Sequence, residues 1–168
     1  PYFLANPDAP SQHQSQWHQF GIVTHSTRAV AAYENEVPDY LREWGLEDRV
    51  LSYLDRLIDG RSRHELLCIG HLVHDVGKFA VRRTVVKDGV LRFTFKGHER
   101  FSGSIIRSEL FDFINTEFNI SPAQREYIAQ CGEHHYDIGI LRESAKSSPE
   151  GYTMAFTGTD EFRHQAQA

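Results

Sequence analysis

The segment SRHELLCIGHLVHDVGK, Ser62 to Lys78, constrains this chain more than any other stretch. Ser62 followed three residues later by Glu65 forms a capping box, which satisfies orphan backbone donors at a helix start. Leu66, Leu67, Ile69, Leu72 and Val73 follow, apolar on most sides, so the pattern predicts a central buried helix ending near Gly77. That helix carries Asp75 near its C-terminal end. A carboxylate there is costly if buried and unpaired. A metal ion removes the penalty, and His74 beside it supplies a second donor. Gly77 permits a tight turn, after which Lys78 brings a positive charge over the site. The competing reading is an ordinary helix C-terminus with a surface carboxylate.

The flanking sequence predicts more helix. From Gln12 onward Trp17, Phe20, Ile22, Val23, Val30 and Tyr33 recur at roughly helical spacing, with Gly21 a weak point. Pro38 marks a break. Leu46 to Ile58 forms a second apolar-periodic stretch, terminated by Gly60. The character then changes. Val81 to Val86 and Val90 to Phe95 are rich in β-branched and aromatic residues, and Lys87-Asp88-Gly89 between them predicts a hairpin. The helical pattern returns from Gly97 through Ile114, and Ser121-Pro122 opens a further helix toward His135. Residues 1–11, with three prolines, read as an extended arm, 139–150 as a mobile loop, and Tyr152 to Phe162 as a last helix. The expected fold is all-α: one domain over residues 1–168, a helical bundle with a small β-hairpin insertion at about residues 81–95.

Composition narrows the function. A chain of 168 residues can close one sizeable core. Its net charge of -5 opposes general nucleic-acid binding, which needs a basic surface. A small phosphorylated substrate stays compatible, because a bound divalent ion outweighs the local background. Cys68 lies in an apolar run and reads as a small hydrophobe; Cys131 lies beside candidate ligands. Two cysteines without close spacing make no disulfide scaffold, and a reducing cytoplasm fits them. No apolar run is long enough to span a bilayer and no signal peptide is evident, so no membrane partner is expected.

Histidine is the outlier, with ten residues. His25 falls within GIVTHSTRAV, His98 begins a helix in FKGHERFSG, His134-His135 ends another, and Asp160 lies in the last helical stretch. His98 could instead meet solvent at its helix start. One member of the His134-His135 pair suffices as a ligand, and which one stays open. His13, His18, His64, His71 and His164 read as non-ligands, although His71 lies one turn before His74 and could support it from behind. Arg82, Arg83 and Lys87 read as a solvated hairpin edge. Lys78, Arg28 and Lys96 are nearer the candidate ligands and suit phosphate neutralisation, Lys78 best.

HLVHDVGK resembles the signature of the HD superfamily of metal-dependent phosphohydrolases. The family pattern is a first His, then His-Asp, often further His residues, then a final Asp, all on a helical bundle. His25, His74, Asp75 and Asp160 fall in that order and span nearly the whole chain. GHERFSGSII resembles a segment of binuclear HD proteins and of the HD part of tRNA nucleotidyltransferases. His134-His135 is similar to the paired His of the cyclic-dinucleotide phosphodiesterases called HD-GYP proteins, but Tyr136-Asp137-Ile138-Gly139 follows, with no Gly-Tyr-Pro.

The resemblance implies two divalent ions, of Mn, Fe, Co, Ni, Zn or Mg. His25, His74, Asp75 and Asp160 would hold the first. Asp75 would bridge to a second, held by His98 with His134 and His135. The implied activity is hydrolysis of a phosphoester, in a nucleotide or other small phosphorylated substrate, by metal-activated water. Asp75, or an acid behind the ligands, would orient that water, and Lys78 would offset phosphoryl charge, with Arg28 and Lys96 as further substrate contacts. The alternatives are a cyclic-dinucleotide phosphodiesterase, against which the missing Gly-Tyr-Pro weighs, a non-catalytic metal-binding regulatory domain of a larger signalling protein, and a di-iron oxygenase of the related branch.

Overall fold

A computed structural model describes residues 21–137, and within them helices dominate and strands occur as two short antiparallel pairs. Helix α1 (Ile22–Asn35) starts at Gly21, which sits as its extended N-cap; Gly21 therefore opens a helix and does not weaken the middle of one. Helix α2 (Val37–Glu43) carries Pro38 in its first turn, where a missing N–H leaves nothing unsatisfied. The break falls just before the proline, and the proline begins the next element.

Helix α3 (Glu47–Leu54) is shorter than the expected Leu46–Ile58. Leu57–Ile58 (β1) instead pairs antiparallel with Arg61–Ser62 (β2). Asp59 and Gly60 turn the chain with φ of 48° and 84°, the two positive angles of a tight hairpin turn. Gln124 holds this ribbon from across the fold, its Nε2 donating to the carbonyls of Ile58 and Asp59 at 2.8 and 3.1 Å. Such a distant contact leaves no trace in local periodicity.

Helix α4 (Arg63–Val73) begins with the expected capping box: Glu65 N donates to Ser62 Oγ at 3.2 Å, and Ser62 N donates to Glu65 Oε2 at 3.1 Å. It packs on α1 and buries Leu66 and Gly70, but Leu72 is exposed, so α4 is one-sided. It also stops at Val73, short of Gly77. Residues 74–77 form turns that lead into the single turn α5 (Lys78–Val81). The hairpin follows: β3 (Arg83–Lys87) pairs with β4 (Val90–Thr94), Lys87 opposite Val90 across Asp88-Gly89, whose φ are 55° and 72°. Val81 thus ends a helix and does not start a strand. Arg82, Arg83 and Lys87 are exposed, as expected of a solvated edge, and the Arg82 guanidinium stacks 4.1 Å over the Phe93 ring.

Helix α6 (His98–Arg107) follows Gly97, whose φ of 82° suits glycine. The helix expected to run from Gly97 to Ile114 is interrupted at the extended Ser108, then resumes as a 3₁₀ turn (Glu109–Phe111) and α7 (Asp112–Phe118). Arg125 stabilises that corner, donating to the carbonyls of Ile106 and Ser108 at 2.8 and 2.7 Å and to Asp112 Oδ1 at 2.6 Å. Helix α8 (Pro122–His134) starts as expected at Ser121, whose Oγ accepts from Gln124 N at 3.2 Å while its own N donates to Gln124 Oε1 at 3.0 Å.

The core is Leu66, Ile106, Phe111, Ile128 and Ala129, flanked by Ile69, Val73, Val76 and Tyr127. The chain divides into two compact units, residues 1–133 and 134–168. Among the described residues no helix is long and apolar enough to cross a membrane. The expected arm at 1–11, the first helix before residue 21, the loop at 139–150 and the helix from Tyr152 to Phe162 with its Asp160 lie outside the described residues.

Candidate metal centre

Asp75 stands in the turn between α4 and α5 and is 1% exposed. Among the described residues, side chains from α1, the α4 C-cap, α5 and the start of α6 reach its two oxygens. Lys78, the first residue of α5, donates from Nζ to Oδ2 at 2.6 Å. His74 Nε2, at the α4 C-cap, lies 3.4 Å from Oδ2, and His25 Nε2, on α1, lies 3.6 Å from it. His98 Nε2, at the start of α6, lies 3.2 Å from Oδ1. The carboxylate therefore presents one oxygen to His25 and His74 and the other to His98.

Backbone carbonyls orient two of these imidazoles. His74 Nδ1 lies 2.7 Å from the carbonyl of His71, and His98 Nδ1 lies 2.9 Å from that of Phe95. A carbonyl oxygen only accepts, so each Nδ1 carries the proton and donates. In a neutral ring Nε2 then bears the lone pair, on the side facing Asp75. This is the arrangement by which ligating histidines are held in metal sites.

The donor spacing fits an ion. His25 Nε2 and His74 Nε2 are 3.2 Å apart, which with the two contacts to Asp75 Oδ2 makes a triangle of 3.2, 3.4 and 3.6 Å. Bonds of about 2.0–2.1 Å separate two donors by roughly 2.9 Å at a right angle and roughly 3.3 Å at the tetrahedral angle. The triangle needs only a few tenths of an ångström of contraction. His25, His74 and Asp75 thus form one group able to hold a metal ion.

The electrostatics match. Burial works to raise the Asp75 carboxyl, but in the ion-free site the imidazole protons that His98 and His74 direct at it and the charge of Lys78 prevail and hold it well below the usual range; a bound ion would take the place of those imidazole protons. The carboxylate stays ionised. Burial lowers Lys78 despite the opposing pull of Asp75, so this ammonium releases its proton more readily than a surface lysine.

Gly77 serves the centre differently from the sequence expectation. Its φ of -64° is open to any residue, so turn freedom is not its role. A Cβ there would overlap the carbonyl oxygen of His98 and the amide of Ser102, and would stand 2.8 Å from Ser102 Oγ. The missing side chain lets α6 approach, and Gly77 N donates to Ser102 Oγ at 2.9 Å. This close approach carries His98 to Asp75.

Arg28 is exposed on α1, one turn beyond His25, and Lys96 is exposed just before His98. His71 supports His74 through its carbonyl, while its ring lies 5.0 Å from that of Tyr33. Cys131 packs beside Gly70, where a Cβ would lie 3.0 Å from its own, and burial pushes its thiol up to about 11. His134 ends α8, with Nδ1 2.8 Å from Asp137 Oδ2, and His135 follows in a turn; both belong to the second unit. The carbonyls of Phe95 and His71 and the hydroxyl of Ser102 escaped the sequence reading. A signal for the carbonyls was available, since each lies three residues before the histidine it orients.

Comparison with family models, with curated proteins and with solved structures found no match to this chain.

Proposed function

We propose that this chain is a metal-dependent phosphohydrolase of the HD type, acting on a nucleotide or another small phosphorylated substrate. The observation that carries the reading is the triangle of His25, His74 and Asp75 donors, with His74 oriented by a backbone carbonyl. A divalent ion held there supplies Lewis acidity and lowers the pKa of bound water toward about 7. The protein's own contribution is fourfold. Asp75 stays ionised and would help hold and neutralise the ion, with His98 standing at its other oxygen. His25 and His74 contribute neutral donors. Lys78 places positive charge at the same carboxylate, where it can offset a phosphoryl oxygen. The exposed Arg28 and Lys96 would add substrate contacts. The resemblance adds Asp160 to the first ion and His134 or His135 to the second; the triangle around Asp75 stands without them.

The test is metal analysis of protein purified without chelators, followed by a panel of phosphomonoesters, nucleotides and cyclic dinucleotides. Phosphomonoester turnover that is lost on chelation, restored by a divalent ion and lost in His74→Ala supports the reading. Turnover that survives chelation, or metal-loaded protein inert across the panel, overturns it; the second result would leave a regulatory metal-binding domain.

A further inference from the structure

Away from Asp75, α1 and α4 bring together another set of donors. Glu34 lies in the last turn of α1. His64 and Cys68 are one turn apart on α4, and residues four apart share a helix face. A carboxylate oxygen of Glu34, a ring nitrogen of His64 and Cys68 Sγ all lie within 4.8 Å of one another. Cys68 Sγ is 3.9 Å from Glu34 Oε1. A zinc ion with sulfur at about 2.3 Å and oxygen at about 2.0–2.2 Å separates the two by roughly 3.5–3.7 Å, so small side-chain rotations complete the geometry.

Two further observations fit. Tyr33 OH lies 3.0 Å from His64 Nδ1. A hydroxyl donates or accepts, so it can hold the ring in either tautomer, as partners behind ligating histidines do. The surroundings are also negative: burial, then the Glu34 and Glu65 carboxylates, raise the Cys68 thiol. A cation there meets attraction from each of these groups.

We propose that Glu34, His64 and Cys68 form a second, sulfur-containing site for a borderline divalent transition ion such as Zn²⁺ or Co²⁺, separate from the Asp75 centre. Thiolate with imidazole selects such ions over Mg²⁺ or Ca²⁺. As the Sγ–metal bond forms, the thiol proton leaves to solvent. Three protein donors leave a fourth tetrahedral position for water. The ion would tie α1, which carries His25, to α4, which ends at His74. His64, read from the sequence as a non-ligand, becomes one through Glu34, a residue thirty positions away on another helix.

The experiment is Co²⁺ titration of the reduced full chain, followed by near-ultraviolet absorption. Thiolate-to-cobalt charge transfer arises only from a sulfur ligand, and the Asp75 centre has none. The band should appear in the parent chain and in Cys131→Ser, and vanish in Cys68→Ser. Tyr33→Phe should weaken cobalt affinity by about tenfold, the lower end for partners behind a ligand. The exposed variant Glu34→Gln should weaken it at least as much, and it serves as the test if Cys68→Ser fails to fold. No band in the parent chain, a band that persists in Cys68→Ser, or unchanged affinity in Glu34→Gln overturns the proposal. His74→Ala should leave the band intact, so this site and the Asp75 centre fail independently.

Discussion

Alanine at Gly77 is the sharpest single perturbation of the Asp75 centre. The added Cβ would overlap two backbone atoms, the His98 carbonyl oxygen and the Ser102 nitrogen, and press on Ser102 Oγ at 2.8 Å. Non-bonded atoms prefer about 3.5–4.0 Å, so the shortfall exceeds about 1 Å. No flexible side chain can absorb it, because the obstructing atoms belong to the first turns of α6. Overpacking of this kind costs about 1–3 kcal/mol, and backbone obstruction argues for the upper end. At about 2–4 °C per kcal/mol for a chain of this size, Tm should fall by about 6–12 °C. The displaced helix carries His98 away from Asp75 Oδ1, now 3.2 Å distant, so metal affinity should fall with stability. Thermal melts and a metal titration measure both. Gly89→Ala is the control: its φ is 72° with nothing within 4 Å, so it should cost only about 1–2 kcal/mol and leave metal affinity alone. A Gly77→Ala protein with Tm within about 2 °C of the parent and unchanged metal affinity would refute the close-approach argument.

Four other outcomes are expected. Asp75→Ala should cost about 3–5 kcal/mol, because it leaves the 3%-exposed Lys78 without its carboxylate, and adding Lys78→Met should recover most of that in urea melts; no recovery would show that the buried charge is not the cause. The Asp75 carboxyl is held lower in the folded state than unfolded, so its stabilisation is present above about pH 4 and is lost as pH falls below that. Denaturant midpoints between about pH 6 and pH 3 should fall more steeply in the parent than in Asp75→Asn, and parallel curves would count against the shift. Cys131, with its thiol pushed up to about 11, should alkylate at pH 8 about a hundredfold more slowly than a free peptide cysteine, read by mass spectrometry of its peptide. Ser62→Ala should cost about 1 kcal/mol and lower Tm by about 2–4 °C, since Glu65 N loses its acceptor; an unchanged Tm would make the capping box irrelevant to stability.

Where a feature depends on neighbours in the chain, the sequence alone determined it. The hairpin turn at Asp88-Gly89 needed only two residues that tolerate positive φ between β-prone runs. The caps at Ser62 and Ser121 needed only a hydroxyl and an amide or carboxylate three residues on. The demand of Asp75 for partners was also legible, because a carboxylate beside an apolar helix needs them. Tertiary structure decided the rest. Leu57 and Ile58 left the helix they patterned with because a tight turn and a distant glutamine captured them. The helix after Gly97 broke at Ser108 because Arg125, from another helix, took up the freed carbonyls. Gly77 and Lys78 show the same division. Their identities in sequence suggested a turn and a positive charge over the site. Only the approach of α6 shows that Gly77 is needed for space, and only the burial of Asp75 ties Lys78 to it. Periodicity and capping act over one or two helical turns, whereas His25, Asp75 and His98 meet only when three helices pack.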